Sequence, residues 1–454
     1  MKKYLAVFTV ITLSGLALAQ NFSVTLGKAP FVFLDTPAAP KSRLDSIVVA
    51  ISEFSQVLAS KGTRLVLVMP PLAQRTYDDY LPSTYEAAPG QQEQYDYVVT
   101  HLRSRQVLTV DLAAAYRQSR AAQSDLLFAP FDHHWSQFGV AVAARATAGY
   151  LTSKGVTLSK VPKVEYRLEL KEPVALTPTR TNNAARLTDD QYRTWATTFK
   201  AVLRPMVVTR VTPEALLGGP EPQVALVGTS FSDDRLGFAS ALAYYLSRDV
   251  LNVSKGGAGP YNPMLDYLNG PEFKATSPQL LIWEFPEMFL PAFVSGSTSR
   301  VGDPIMWAWH TVATLSGACG KSAGTSVTTT GVGVSNTTRS VTGIETAATT
   351  SNSYIEYRLG KPYPPSYLHA HVRSVGVGAL FKDILFSKSD FRRYEMPVPL
   401  DGEEHSVDIP LVNGDGSPLY AVRLLPGITT AFSVSDVELC QYPAEVVKAL
   451  SAVK

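Results

Sequence analysis

The serine at position 230 has the sequence context of a nucleophile. The apolar run Val224–Val227 predicts a strand, and a helical pattern follows over residues 233–246. Ser230 therefore lies in the turn between a parallel strand and a helix, at the sheet edge where α/β proteins bind ligands. Helix N-terminal amides can stabilise an oxyanion there. The alternative is a helix cap, for which Ser232 is the better candidate because two aspartates then fall in the first turn.

A general base for this serine is available in the segment Asp132-His133-His134-Trp135. The Asp-x-His spacing lets the Asp132 carboxylate hold Nδ1–H of His134 while Nε2 faces the serine. Adjacent side chains of an extended segment point to opposite sides, which predicts that His133 points elsewhere. The alternatives are a capping aspartate with incidental histidines, or a metal pair. Because a metal site needs more ligands than this segment offers, we expect no metal.

A glycine-rich segment over residues 255–259 follows the next predicted strand. Gly257 and Gly259 are candidates to donate a second backbone amide to the oxyanion, because a residue without Cβ lets the backbone approach a substrate closely. The alternative is that these glycines only form a flexible turn.

Five short apolar runs are the predicted strands that position these residues. The runs are 64–69, 107–112, 224–227, 250–253 and 280–283, and helical patterns cover 44–59 and 137–151. Runs that are apolar on both faces and are separated by helices are typical of a parallel sheet covered on both sides. We therefore predict a three-layer α/β domain. The stretch 161–219, rich in Pro, Thr and Arg, is predicted to be an insertion that is partly helical around 189–203.

The residue pattern changes after about position 301. Ser, Thr and Gly dominate residues 322–353, and segments such as 353–358 and 432–439 alternate between apolar and polar residues. This pattern indicates antiparallel strands with one face in water, and so a C-terminal β-sandwich. Its last strand resembles that of many carbohydrate-binding modules. The predicted domains are a catalytic α/β domain over 20–300 and a carbohydrate-binding β-sandwich over 301–454.

The N-terminus has the pattern of a secretory signal peptide. Lys2 and Lys3 precede an uncharged apolar stretch over residues 5–18, and an Ala-x-Ala cleavage signal ends at Ala19. The predicted signal peptide therefore covers residues 1–19. A membrane anchor is the alternative, but the apolar stretch is shorter than a spanning helix requires. The mature chain is expected to be periplasmic or secreted, and not an integral membrane protein.

The cysteine count and the net charge further limit the classes of protein to which this chain could belong. Cys319 and Cys440 are the two cysteines of the 454 residues, and an exported chain can keep a disulfide between them. Two unrelated buried thiols are the alternative. The formal net charge is only +2 and no Lys/Arg run is present, so the chain lacks the sequence signature of a nucleic-acid-binding protein.

The combination of motifs resembles the alginate O-acetyltransferase group, the AlgX/AlgJ-like branch of the SGNH hydrolase-like superfamily. The motifs, in chain order, are Asp-x-His-Trp followed by Gly, Gly-Thr-Ser-Phe-Ser after a strand, Gly-Gly-x-Gly-Pro, and Trp-Glu-Phe-Pro-Glu. They lie within about residues 64–290. The resemblance implies that Asp132 is the orienting acid, His134 the base and Ser230 the nucleophile, with no cofactor. It also implies that the C-terminal β-sandwich binds polysaccharide.

The chain departs from the family pattern at three positions. Met288 stands where an arginine often follows the Trp-Glu-x-Pro-Glu motif, and His133 stands where a small hydroxyl residue is expected. Asn262 is only a candidate for the asparagine of ordinary SGNH enzymes. These departures concern the substrate and the oxyanion hole more than the Asp, His and Ser.

The resemblance implies O-acetyl transfer to a secreted, alginate-like exopolysaccharide through an acetyl-enzyme. The expected partners are the polysaccharide acceptor, an acetyl donor that is a protein or carrier, and an exopolysaccharide export or modification complex. The first alternative is a polysaccharide acetylesterase with the same triad, in which water replaces the sugar hydroxyl. The second is a non-catalytic carbohydrate-binding scaffold.

Overall fold

The computed structural model describes residues 23–211, 222–291 and 304–316, together with 327–332, 335–339, 343–348, 353–363, 366–377, 380–385, 391–396, 401–412, 419–425 and 428–452. The predicted signal peptide and Cys319 lie outside these ranges. Within them, none of the helices has the length and apolar character needed to cross a membrane.

The first part of the chain alternates between helices and short strands. Its first elements are β1 (Val24–Leu26), β2 (Val32–Leu34), α1 (Lys41–Ser60), β3 (Arg64–Val68), α2 (Ala73–Thr76), α3 (Gln94–Ser104), β4 (Leu108–Val110), α4 (Leu112–Ala122) and α5 (Gln137–Ser153). They are followed by β5 (Tyr166–Leu170), β6 (Val174–Ala175), α6 (Asp189–Thr198), β7 (Val202–Leu203), β8 (Met206–Arg210), β9 (Val224–Val227), α7 (Phe238–Leu246), β10 (Leu251–Asn252), α8 (Tyr261–Asn269), α9 (Pro271–Ala275), β11 (Leu280–Glu284) and α10 (Pro304–Ser316).

The five predicted apolar runs form one parallel sheet in the order β10-β9-β11-β3-β4. Alternate residues of β3 point to opposite faces of the sheet and pack in different hydrophobic cores. Leu65 and Leu67 pack in the core that contains α1 and α3, whereas Val66 and Val68 pack in the core that contains α5 and α7. A strand with apolar residues on both faces can be buried only between two helical layers. The predicted three-layer α/β domain is therefore confirmed.

The strand order determines which loops meet at the carboxyl edge of the sheet. β11 lies between β9 and β3, with Trp283 opposite Val227 and Glu284 opposite Val68. The end of β11 is therefore beside the turn that follows β9, the turn that contains Ser230.

The segment between α5 and β9 contains two small antiparallel sheets, β5-β8 and β6-β7, and the helix α6. The helix expected around 189–203 is shorter than predicted. A capping box at Thr188 begins it, but Phe199 has an extended backbone and β7 follows. The reason lies in the tertiary packing, because the rings of Phe199 and Trp195 both pack against Phe131 of the loop before α5.

The described C-terminal strands form two antiparallel sheets of five strands. The strands are β12 (Val327–Val332), β13 (Ser335–Arg339), β14 (Gly343–Ala348), β15 (Tyr354–Tyr363), β16 (Ser366–Val377), β17 (Leu380–Leu385), β18 (Phe391–Met396), β19 (Asp401–Leu411), β20 (Leu419–Leu425) and β21 (Ile428–Gln441), and α11 (Ala444–Ser451) follows. The sheet orders are β12-β15-β20-β17-β18 and β13-β14-β21-β16-β19. Buried residues of both sheets, such as Ile355 and Leu368, belong to the same core as α1 and α10.

Candidate functional site

The structure brings Ser230, His134 and Asp132 into one line of hydrogen bonds. The Oγ of Ser230 lies 2.8 Å from Nε2 of His134, and Nδ1 of His134 lies 2.9 Å from Oδ1 of Asp132. Both distances are those of ordinary hydrogen bonds. With the proton of His134 on Nδ1, the Ser230 hydroxyl donates to Nε2 and the Nδ1–H donates to the carboxylate. This arrangement prepares His134 to take the Ser230 proton.

The loop that carries Asp132 and His134 is held closed at its base. Phe128 and Trp135 form an isolated antiparallel bridge, and the N–H of Ala129 donates to the carbonyl of His134. The indole N–H of Trp135 donates at 2.7 Å to the carbonyl of Phe231. Trp135 therefore connects the histidine loop directly to the serine turn.

Close packing explains why a glycine, Gly139, follows the Asp-x-His-Trp motif. This residue lies in the first turn of α5, which Ser136 caps by accepting from the N–H of Gly139. A β-carbon at this position would lie 2.0 Å from the carbonyl oxygen of Leu127. Because a heavier residue would force the helix and the loop apart, only glycine allows this close approach.

The serine turn differs from the sequence expectation. Ser230–Ser232 is a turn of 3₁₀ helix in which the hydroxyl of Thr229 accepts from the N–H of Phe231. The prediction that Ser232 caps the following helix is wrong, because α7 begins only at Phe238, after Gly237. The hydroxyl of Ser232 instead donates to Glu284 at 3.1 Å.

His133 does not point away from the site, contrary to the expectation for an extended segment. Its ring centroid is 4.0 Å from that of His134, and its Nδ1 lies 3.3 Å from the same Asp132 oxygen that binds His134. The physical reason is that the loop is bent, not extended, over these residues. Both imidazoles therefore lie beside one carboxylate.

The two histidines have opposite pKa shifts. Burial and the charge of the neighbouring His134 together lower the pKa of His133 to about 3, although the charge of Asp132 acts to raise it. Burial also acts to lower the pKa of His134, but the charge and hydrogen bond of Asp132 outweigh it, and the pKa is raised. Burial acts to raise the pKa of Asp132, yet the charge of His134 and its hydrogen bond hold the pKa well below the usual range. Asp132 is therefore ionised and His133 neutral near pH 7.

Asn182 is a site residue that sequence reasoning missed. Its Nδ2 donates at 2.8 Å to Oδ2 of Asp132, the oxygen that His134 does not use. It begins a 3₁₀ turn, Asn182–Arg186, in the predicted insertion, and its φ of 50° is left-handed. Asparagine tolerates this conformation better than most residues, so the residue type is the one feature of the sequence that could have indicated a special turn here.

Glu284 is a second site residue whose place the sequence did not indicate. Its side chain is fully buried beneath the serine turn, and Oε2 accepts from the N–H of Thr229 at 2.7 Å. The motif Trp-Glu-Phe-Pro-Glu contains both this residue and Glu287, which instead forms a buried ion pair with Arg75 at 2.6 Å. The two glutamates of one motif therefore have different environments.

The candidate oxyanion glycines lie in the loop after β10. Gly257 and Gly259 both have positive φ, 77° and 68°. Their neighbour Gly256 is adjacent to the serine, since a β-carbon placed on it would lie 3.6 Å from Cβ of Ser230. Asn262, the candidate for the SGNH asparagine, has a buried Oδ1 without a hydrogen-bond partner among the described residues.

A recess opens beside Asp132 and His133. Its wall is mostly apolar and includes Phe231, Pro286 and Met288. Met288 occupies the position at which the family pattern often has an arginine. That departure therefore affects the lining of this recess.

Asp132, His133 and His134 also form the one group of metal-ligand type in the described ranges, with atoms that lie within 4.8 Å of one another. Both ring nitrogens of His134 already contact Asp132 and Ser230. A metal would have to replace one of those hydrogen bonds, so the arrangement suits proton transfer better.

Of the predicted disulfide, only Cys440 lies within the described residues, where it is fully buried on β21. Cys319 lies outside them, and the bridge stays a prediction.

Comparisons with known proteins identify relatives of this chain. Residues 24–287 match the family model described as SGNH hydrolase-like domain, acetyltransferase AlgX. A probable alginate O-acetylase AlgJ from Pseudomonas putida is 30% identical over 282 residues, which is 59% of this chain and 70% of that protein. The alginate biosynthesis protein AlgX from Pseudomonas syringae pv. tomato is 28% identical over 257 residues, 53% of this chain and 49% of that protein.

Two solved structures are similar to much of the chain. The O-acetyltransferase domain of Pseudomonas putida AlgJ has a TM-score of 0.51 at 28% identity and covers 59% of this chain and 92% of its own. Pseudomonas aeruginosa AlgX has a TM-score of 0.60 at 16% identity and covers 92% and 94%, a likeness of fold alone. The family match covers more than half of the chain, and the chain therefore belongs to the AlgX family of SGNH hydrolase-like acetyltransferase domains.

Proposed function

We propose that this protein is an O-acetyltransferase that acylates a secreted polysaccharide through an acetyl-enzyme on Ser230. The observation that carries the proposal is the pair of hydrogen bonds from Ser230 to His134, at 2.8 Å, and from His134 to Asp132, at 2.9 Å. Serine becomes nucleophilic when a positioned base accepts its proton.

In the first half-reaction, Oγ of Ser230 attacks the acetyl carbonyl carbon of the donor while Nε2 of His134 takes the hydroxyl proton. The tetrahedral intermediate collapses, and His134 returns the proton to the leaving group. In the second half-reaction, His134 deprotonates a sugar hydroxyl, which attacks the acetyl-enzyme and regenerates the Ser230 hydroxyl. Asp132 stays ionised throughout and stabilises the imidazolium.

Backbone amides beside Ser230 would stabilise the oxyanion. The N–H of Thr229 donates to Glu284, and those of Phe231 and Ser232 donate within the turn, whereas the N–H of Ser230 has no acceptor among the described residues. We assign the first donor to Ser230 and the second to the glycine loop, where Gly256 is adjacent and Gly257 and Gly259 remain candidates.

The donor, acceptor and location belong to the same proposal. The relatives are named alginate O-acetylases and alginate biosynthesis proteins, which favours an alginate-like exopolysaccharide as acceptor. A signal peptide over residues 1–19 would place the mature chain in the periplasm or outside the cell, where the acetyl donor is a protein or carrier. The two C-terminal sheets share one core, which favours a β-sandwich that holds the polymer.

The experiment that tests this proposal compares purified wild type with Ser230→Ala. Each is mixed with a chromogenic acetyl ester, with and without an oligosaccharide acceptor. We expect acetylated oligosaccharide from wild type only. Ester hydrolysis that the acceptor never diverts would indicate an esterase, and the absence of activity from both proteins would leave a binding scaffold. Equal activity of the two proteins would show that Ser230 is not the nucleophile.

A further inference from the structure

A buried carboxylate other than Asp132 supports the serine turn. Glu284 is the last residue of β11, and the register that pairs Trp283 with Val227 brings its side chain under the residues that follow β9. Its Oε2 accepts three hydrogen bonds, from the N–H of Thr229 at 2.7 Å, the hydroxyl of Thr229 at 3.0 Å and the hydroxyl of Ser232 at 3.1 Å. One oxygen thus holds the residues on both sides of Ser230.

The turn is shaped around this carboxylate. A β-carbon on Gly228 would lie 2.5 Å from Oε2 of Glu284 and 2.8 Å from Oγ of Ser232. Such contacts are too short for any side chain, which explains why glycine precedes the Thr-Ser pair. The position of Ser230 therefore depends on the space that Glu284 fills.

The charge of Glu284 has no cation to offset it among the described residues. Glu287, three residues further on, is equally buried but contacts the guanidinium of Arg75. An isolated buried carboxylate is costly, and burial raises the pKa of Glu284 to about 7 even though hydrogen bonds from Thr229 and Ser232 oppose the shift. A glutamine could accept the same bonds at lower cost, so the carboxylate has a further use.

The group that can use this charge is His134. Its ring is influenced by three carboxylates, Asp132, Glu284 and Asp233, and by the neutral ring of His133. We propose that Glu284 is a positioning residue for the reaction proposed above. It fixes the serine turn through its hydrogen bonds, and its negative charge stabilises the imidazolium that forms when His134 accepts the Ser230 proton.

The test separates the charge of Glu284 from its hydrogen bonds by comparing Glu284→Gln with wild type. The pKa of His134 is measured by NMR of histidine-labelled protein, a readout that needs no turnover. We expect a lower His134 pKa in Glu284→Gln because a nearby negative charge is lost. We also expect kcat for acetyl-ester hydrolysis to fall about 10-fold with KM nearly unchanged, since the lost interaction acts after substrate binds. An unchanged pKa together with an unchanged kcat would overturn the proposal.

Two further variants control for structural damage. Glu287→Gln breaks the buried pair with Arg75 and is expected to lower the melting temperature while the His134 pKa stays at its wild-type value. Should Glu284→Gln fail to fold, Glu284→Asp carries the test, because it keeps the charge but shortens the reach to Thr229. A His134 pKa close to that of wild type together with a lower kcat supports the proposal, and a wild-type kcat refutes it. Loss of the proposed function itself is recognised separately, by a fully active Ser230→Ala.

Discussion

Asn182 and Asp132 are joined by a hydrogen bond of 2.8 Å, although 50 positions separate them in the chain. Asn182 binds Oδ2 and leaves Oδ1 to His134, so the two oxygens of the carboxylate are held by different segments. The orientation of the acid therefore depends on the inserted segment as well as on its own loop.

This contact predicts the effect of removing the Asn182 side chain. Asn182→Gly keeps the left-handed backbone accessible, so the variant tests the side chain and not the turn. We expect kcat for acetyl-ester hydrolysis to fall about 10-fold, the scale of one hydrogen bond to a charged group. Asn182→Ala is the comparison, and it should lose stability as well, because alanine resists a positive φ. Wild-type kcat in Asn182→Gly would show that Asp132 needs no second support.

His133 and His134 can be distinguished by alanine substitution, even though their rings lie 4.0 Å apart. His134→Ala should reduce acetyl-ester hydrolysis by roughly four orders of magnitude or more, because nucleophile and base act as a unit. His133→Ala should cost less than about 10-fold, since this ring contacts Asp132 without reaching Ser230. An inactive His133→Ala beside a nearly normal His134→Ala would reverse the assignment of the base.

The rate should depend on pH through His134. Only its neutral form accepts a proton, and its pKa is raised above the ordinary value of 6.5. We therefore expect kcat/KM to be high in mildly alkaline solution and to fall as pH decreases through a value above 6.5. His133, with its lowered pKa, stays neutral across this window, whereas Glu284, with a pKa raised to about 7, loses its charge over the same decrease in pH and lowers the rate in the same direction.

Asp132→Asn provides the matched measurement for this pH dependence. Without the carboxylate, burial lowers the His134 pKa against only the smaller effects of Glu284 and Asp233, so the acidic limb of the profile should move to lower pH. The remaining rate should also fall by about 10⁴, as expected when the imidazole is no longer held in the correct tautomer. An acidic limb that stays in place would show that another group controls it.

Much of the site could be predicted from local sequence, and the remainder depends on tertiary structure. The apolar runs and the Asp-x-His spacing are local patterns, and they located the sheet, Ser230, His134 and Asp132. Glu284 could not be placed in this way, because its contact with Thr229 requires β11 to lie beside β9. Asn182 lies in a segment whose apolar residues follow neither helical nor strand periodicity, so its position could not be predicted. The orientation of His133 depends on a bend in the loop that the residue types in this segment do not predict.

The glycine after the Asp-x-His-Trp motif gives a test of stability that is independent of catalysis. Gly139→Ala should destabilise the protein by about 2–4 kcal/mol, because the added methyl group meets the Leu127 carbonyl 2.0 Å away. Gly149 lies in the same helix with open space around it, so Gly149→Ala is the matched control. It should stabilise the protein by about 0.5–1 kcal/mol through helix propensity. Equal effects of the two substitutions on the free energy of unfolding would contradict this packing.

The most direct test of the central claim is to trap the acetyl-enzyme. Wild type is mixed with an excess of acetyl ester, quenched in acid and analysed by peptide mass spectrometry. We expect one acetyl group on the peptide that contains Ser230, its absence in Ser230→Ala, and its loss from wild type when an oligosaccharide acceptor is added before the quench. An active enzyme that carries the acetyl group on another residue, or that retains turnover in Ser230→Ala, would contradict the account.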